Sequence, residues 1–420
     1  MTELGPLPEE WEVAKLGGLA DTKAGGTPST LRSEFWDGDI PWINSGALKD
    51  RVITEPTRYI TKLGLENSVA KLLPVNSVVI ALTGATTGKV GILKFACSTN
   101  QSVVGILSNQ QFDSVFIFYT LMYSRERIIG LKSGAAQPHI NKQIVDNFTI
   151  SLPPLPEQRA IARMLSTIQK AIEAQDKIIA AARELKKSLM HHLFTYGPVT
   201  VAEAEKVPLK ETEIGLVPEY WDVVRLGEVI DKPEYGYTAS ASSEMMGPKF
   251  LRITDIQNSG VDWVSVPYCA CSPVEEGKYK LQSGDILFAR IGATTGKTYL
   301  IKDGPPAIFA SYLIRVRCKS SLLPDYLGQF TTTDQYWNQI NASKGGRLKQ
   351  GINIPVLKSL LVPFPSLPEQ QEIALMLSSV DKKIEAEENR KAALQDLFKT
   401  VLHLLMTGRV RVKDLEVKLA

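Results

Sequence analysis

Two copies of Gly-Ala-Thr-Thr-Gly-Lys, at 84–89 and 292–297, look most like catalytic machinery in this chain of 420 residues. A glycine-rich loop ending in lysine can wrap a phosphate in successive backbone N–H groups, but that loop needs four residues between its glycines. Here three intervene, and Lys89 is followed by Val90, which offers no hydroxyl to a magnesium ion. The spacing instead predicts a tight turn between two strands, its glycines serving backbone geometry. Lys89 and Lys297 then stand at the turn tips, where a lysine can meet a DNA phosphate. Other catalytic constellations are missing. Of the histidines, His191, His192 and His403 fall in long helical stretches, and His139 has no nucleophile beside it in sequence. Cys97, Cys269, Cys271 and Cys318 form no Cys-x-x-Cys pair, so no metal site is predicted and reduced thiols are expected. No base-methylation motif, nuclease pattern or metal-spaced acidic cluster is present, and the chain reads as non-catalytic, with no cofactor of its own.

What remains is binding chemistry. Arg32, Trp36, Trp42, Asn44 and Ser45 cluster early in the chain, and Lys132, Gln137, His139, Asn141 and Lys142 cluster before residue 150. In the second half Tyr235, Tyr237, Arg252, Thr254, Asp255 and Arg290 are candidates, with Lys344, Arg347, Lys349 and Gln350 in a late polar loop. Arginine and lysine can fork onto guanine, asparagine and glutamine onto adenine, and lysines can position the phosphate backbone. The plainer reading makes Trp36 and Trp42 core residues and the lysines solvated surface.

Two matched stretches must position these groups. Leu-Pro-Glu-Gln at 155–158 returns at 367–370, and each copy runs on without an internal Pro or Gly to Thr195 and Gly197, or to Thr407 and Gly408. Proline costs nothing at a helix start, and a first-turn glutamate suits the helix dipole. Ile373, Leu377, Val380, Ile384, Glu387, Lys391, Leu394, Phe398, Val401 and Leu405 step by alternating four and three. That is a coiled-coil seam. The first copy matches it with Ile161, Leu165, Ile168, Ile172, Gln175, Ile179, Ala182, Lys186, Leu189 and Leu193. Polar seam residues past the middle of each can fix register and partner.

The repeat extends further. Trp11 and Leu16-Gly17 return as Trp221 and Leu226-Gly227, and Ile140-Asn141 returns as Ile352-Asn353. Such nearly constant offsets mark a tandem duplication of a globular unit followed by a long helix. Strand-like runs at 78–82, 90–95, 103–107, 250–256, 285–291 and 308–316 combine with helical stretches at 116–129 and 322–340. The fold class is therefore α+β. The expected boundaries are 1–153 and 213–365 for the globular domains, 154–197 and 366–408 for the helices, 198–212 for an exposed connector and 409–420 for a tail. No apolar run approaches the roughly 20 residues of a membrane span, the N-terminus lacks a signal-peptide pattern, and cytoplasmic location is expected. A net charge of +3 makes any nucleic-acid surface local rather than global.

Together these residues resemble the specificity subunit of Type I restriction–modification systems. The resemblance rests on Gly25-Gly26-Thr27-Pro28, the run from Trp36 to Ile43, both Gly-Ala-Thr-Thr-Gly-Lys turns, Gln137-Pro138-His139-Ile140 and both Leu-Pro-Glu-Gln segments. It implies two target-recognition domains, each reading half of a split double-stranded DNA site, separated by two long antiparallel helices with an approximate two-fold between the repeats. It also implies two methyltransferase subunits, which carry S-adenosylmethionine and methylate adenine. Motor-nuclease restriction subunits, which use ATP and magnesium, complete the complex. Gly25 to Pro28 and Trp36 to Trp42 have no clean sequence counterpart between Tyr235 and Lys249. A helix of about 38 residues is roughly 57 Å long, which caps the distance between half-sites at roughly 15–17 base pairs. A nucleotide-hydrolysing enzyme built on the Gly-Lys turns, and a coiled-coil scaffold without nucleic acid, are the competing classes.

Overall fold

The computed structural model describes residues 4–131, 139–257, 260–343 and 351–412. Backbone contacts divide the chain into two units, Met1–Gln175 with Arg390–Ala420, and Asp176–Asn389. The division falls inside both long helices, Leu155–Tyr196 and Leu367–Met406. Each unit therefore holds a globular domain, the first half of one helix and the second half of the other.

In the first unit a five-stranded sheet runs in the order Thr22–Ala24, Val103–Ile106, Val78–Ala81, Val90–Leu93 and Arg51–Ile53. Only its last pairing is parallel. The second unit rebuilds the first four strands as Glu234–Tyr235, Leu313–Val316, Ile286–Ala289 and Thr298–Leu300. A parallel pair also recurs. Trp42 and Ile43 face Ser98 and Thr99, as Phe250 and Leu251 face Ile308 and Phe309. β-branched and aliphatic residues make all four positions of Val78–Ala81 and of Ile286–Ala289 buried. Such fully apolar runs suit strands covered on both faces.

Leu-Pro-Glu-Gln joins each domain to its helix. Gln158, buried, accepts from the Asp113 amide at 2.9 Å and donates to the Pro153 carbonyl at 2.8 Å. Gln370 repeats this with the Leu323 amide and the Pro365 carbonyl, each at 2.9 Å. The glutamates receive the domain tryptophans, Trp11 on Glu157 at 3.2 Å and Trp221 on Glu369 at 3.1 Å. The helix halves run antiparallel within each unit. In the second, Lys186 pairs with Asp381 while Arg183 pairs with Glu388. In the first, Tyr119 bridges Ser166 and Phe398, while Glu157 meets Arg411 beyond the far helix end.

Ile161, Leu165, Ile172, Ile179 and Leu193 are buried on the central helix, as are Ile373, Leu377, Phe398 and Leu405 on the C-terminal one. Ile168, Leu189, Val380, Ile384, Leu394 and Val401 are half-buried, and the polar Gln175 and Glu387 are buried too.

Local structure departs from the sequence reading in several places. The helix expected over 116–129 is two, Ser114–Tyr123 and Arg125–Gly130, broken at Ser124, whose φ of −87° and ψ of 10° leave the helical basin. The strand expected over 250–256 gives way after Leu251 to a tight turn, because Asp255 folds back on the Arg252 amide at 2.9 Å. The run 308–316 is two strands separated by a turn, with the Leu313 amide donating to the Ala310 carbonyl at 2.9 Å. Part of the expected connector is ordered, since Leu209–Thr212 pairs with Gly215–Pro218.

Candidate nucleic-acid interface

The Gly-Ala-Thr-Thr-Gly-Lys copies form the same turn, bond for bond. In the first, Thr87 donates to Gly84, Gly88 to Ala81 and Lys89 to Thr86, at 3.1, 2.8 and 2.8 Å. In the second, Thr295 donates to Gly292, Gly296 to Ala289 and Lys297 to Thr294, at 3.2, 2.9 and 2.9 Å. All four glycines have φ between 75° and 94°, which glycine adopts without penalty. These amides are committed to carbonyls of the turn and of the strand that leads into it. Gly84, Ala85, Gly292 and Ala293 are exposed, and Lys89 and Lys297 are half-buried at the turn base.

Ile140 and Ile352, which follow the late candidate stretches in sequence, bond to the strand ends that lead into these turns. The Ile140 amide donates to the Leu82 carbonyl at 3.0 Å, and the Ile352 amide to the Arg290 carbonyl at 2.8 Å. Each turn therefore sits beside the point where the chain leaves the late polar loop. Asn141 and Asn353 cap the helices that follow, accepting from Ile144 and Val356 at 2.9 Å. Asn141 is thus partly spent on the cap. Lys142 forms a 2.6 Å ion pair with Asp146, and His139 is exposed. Lys132, Gln137, Lys344, Arg347, Lys349 and Gln350 lie outside the described residues.

A second shared feature is the turn joining the paired strands, Asn100–Ser102 in one unit and Ala310–Tyr312 in the other. Leu82 donates to Ser102 at 2.8 Å, and Arg290 to Tyr312 at 3.0 Å. Asn100 donates to Ile43 at 3.1 Å, and Ala310 to Leu251 at 2.9 Å. Gly26 donates to Thr99 at 2.7 Å, and Tyr237 to Phe309 at 2.8 Å. A Cβ on Gly25 would lie 2.1 Å from the Asn100 carbonyl, and one on Gly236 would lie 2.3 Å from that of Ala310. Gly25-Gly26 therefore has a structural counterpart, Gly236-Tyr237, one residue off the sequence register. The same bonds equate Ala24 with Tyr235, Asn44 with Arg252, Leu82 with Arg290 and Ser102 with Tyr312.

At these equivalent places the side chains differ. Asn44 is half-buried at a strand end, its amide 3.4 Å from the Thr57 hydroxyl. Arg252 forks onto Asp255 at 2.7 and 3.0 Å, with the exposed Thr254 beside it. That bond holds the guanidinium more firmly protonated. Tyr237 packs on Tyr279 at 5.4 Å, and its hydroxyl bonds Glu275. Desolvation first, then that glutamate, push its pKa up. The Arg290 guanidinium lies 4.6 Å over the Tyr235 ring, and Tyr235 and Tyr312 are 38% and 55% exposed. Beneath them Arg315, 3% exposed, pairs with Glu234 and donates to the Lys280 carbonyl at 2.8 Å, which fixes the strand carrying Tyr235. Arg32 is exposed over Phe35 at 5.3 Å. Trp36 and Trp42 are core, edge to face at 5.3 Å, their ring N–H groups on the Ser29 and Gly26 carbonyls. Tyr312 was not singled out from sequence. Its 210-residue offset from Ser102 is the signal that would have found it.

Among the described residues no three His, Cys, Asp or Glu side chains are grouped to hold a metal, and no helix is long and apolar enough to cross a membrane.

The chain is similar to known proteins over nearly all its length. It is 28% identical over 415 residues to the Type I restriction enzyme MjaVIII specificity subunit of Methanocaldococcus jannaschii, covering 97% of this chain and 95% of that one. It is 23% identical over 431 residues to the EcoKI specificity subunit of Escherichia coli, covering 97% and 90%. The solved S subunit of a Type I restriction–modification system from M. genitalium shares the fold, with a TM-score of 0.62 at 17% identity over 96% of this chain and 99% of that one. The model of the Type I restriction modification DNA specificity domain matches twice, at residues 8–183 and 218–396. With one such domain in each half and both turns built alike, the chain belongs to the Type I restriction–modification DNA specificity family.

Proposed function

We propose that each globular domain reads one half of a split DNA site and that the chain carries out no chemistry itself. The observation that carries this is the duplicated framework with divergent side chains: the same backbone bonds hold Ala24, Asn44, Leu82 and Ser102 in one unit and Tyr235, Arg252, Arg290 and Tyr312 in the other. A fixed scaffold presenting unlike groups suits an asymmetric site. The candidates of the first unit are Arg32, Asn44, Lys89, His139 and Lys142, and those of the second are Tyr235, Arg252, Thr254, Arg290 and Lys297.

In this reading the helix pair is a spacer. Helices of 42 and 40 residues are roughly 60 Å long, or roughly 18 base pairs of B-DNA. Half-sites about one helical turn apart fall within that reach. The outer helix faces are the docking seat for two methyltransferase subunits, which bring S-adenosylmethionine, and through them for ATP- and magnesium-dependent restriction subunits. A net charge of +3 leaves much of the phosphate neutralisation to those partners, so the isolated chain binds DNA weakly and steeply with salt. Methylation mapping of host DNA with and without the gene tests the reading. A split motif modified only when the chain is present is expected, and identical methylation maps would overturn it.

A further inference from the structure

The reading above leaves open which group in the second unit makes a base contact. We propose that Arg290, shelved on the Tyr235 ring beside Tyr312, reads a guanine in the half-site of the second unit; this rests on the proposed function.

The backbone bonds that place residue 290 are matched in the first unit by those that place Leu82, with Ala24 and Ser102 at the neighbouring positions. The scaffold is thus built without any cation or aromatic ring there. The first unit holds the same backbone bonds with none of these side chains.

The other arginines on this sheet and its flanking turn are neutralised: Arg252 by Asp255, Arg315 by Glu234, and Arg317 by Asp285 at 2.7 Å. Among the described residues Arg290 lies on no carboxylate. Its Nη1 makes one long bond, 3.4 Å to the Ser311 carbonyl, and its Nε is enclosed without a partner. Among the described residues this half-buried guanidinium thus has no charge partner and keeps donor capacity for an outside acceptor.

The guanidinium carbon lies over the Tyr235 ring at 4.6 Å from its centroid, and the Tyr235 hydroxyl accepts from the Ile354 amide at 3.3 Å, which seats the ring. A planar fork resting on an aromatic ring suits the paired O6 and N7 acceptors of guanine. Tyr312, whose carbonyl accepts from the Arg290 amide, and the following residues Ile291, Gly292 and Ala293 are exposed.

The test replaces the chromosomal allele by Arg290→Ala or Arg290→Lys and maps adenine methylation in host DNA. Wild type is expected to give a split motif with a guanine in one half. Arg290→Ala is expected to lower the preference for that guanine on the order of 10- to 100-fold, leaving the other half of the motif unchanged. That unchanged half reports a folded, assembled subunit. Arg290→Lys fails to restore the preference, because an ammonium lacks the fork. Tyr235→Phe, which keeps the ring but loses the Ile354 bond, retains more of it than Tyr235→Ala. An unaltered motif in Arg290→Ala, or weaker modification with the motif intact as for a phosphate contact, would overturn the inference while leaving the split-site reading standing. No split motif from the wild type would overturn both.

Discussion

Removing the Glu157 carboxylate charge by Glu157→Gln tests how the first unit is closed. Arg411 donates to Glu157 through Nε at 2.6 Å and Nη2 at 2.7 Å, and Trp11 donates to the same carboxylate at 3.2 Å. The two charged side chains are only 14% and 11% exposed. An exposed pair would be worth about 0–1 kcal/mol, and breaking a fully buried one costs about 3–5 kcal/mol. Glu10, 56% exposed and 2.7 Å from Arg411, compensates in part. The expected loss is therefore about 2–3 kcal/mol, since glutamine keeps one acceptor but leaves the guanidinium short of charge. For a unit of this size that lowers the unfolding temperature by about 5–10 °C. Calorimetry on Glu157→Gln, Arg411→Met and the double variant isolates the pair term. Coupling below about 0.5 kcal/mol would refute the view that this contact fastens the C-terminal segment to the first domain.

Three more outcomes follow from the same structure. Gly296→Ala places a Cβ 2.7 Å from Ile340 at a φ of 94°, whereas Gly292→Ala meets nothing within 4 Å at a φ of 79°. Urea unfolding should rank the first as the more damaging, at about 2–3 kcal/mol against about 1. Burial pushes the Cys97 and Cys318 thiols up to about 12 from an ordinary value near 9. The unfolded chain ionises first, so their contribution to stability is complete below pH 9 and is lost as pH rises toward 12. Native protein at pH 8 should leave the buried Cys97 thiol unreactive to Ellman's reagent. Inserting seven residues after Gln175 and after Asn389 lengthens each helix by about 10.5 Å, about three base pairs. The motif's spacer should widen accordingly, and an unchanged spacer would sink the ruler.

Legibility in the sequence followed the range of the interaction. The long helices were readable because their seam repeats locally, and the Gly-Ala-Thr-Thr-Gly-Lys turn because glycine spacing and backbone conformation are tied within six residues. The Leu-Pro-Glu-Gln segments were visible as helix starts, yet their partners were not. Trp11 finds Glu157, and Asp113 finds Gln158, across distances in sequence that no local pattern reports. The equivalence of Gly25 with Gly236 was hidden by a one-residue shift, and only the shared bonds to the Asn100 and Ala310 turns expose it. Among the candidate residues, the Asn141 side chain is taken by a helix-start amide, and Lys142 and Arg252 by aspartates four and three residues on. Among the described residues Arg290 differs in having a ring and a carbonyl but no carboxylate.

The central claim is that recognition is divided between two separable domains. Replacing residues 213–365 by the corresponding stretch of the Methanocaldococcus jannaschii relative, then mapping host methylation, tests it directly. The account predicts a motif in which one half changes and the other, with its modified adenine, stays as in the wild type. A motif changed in both halves, or in neither, would contradict it.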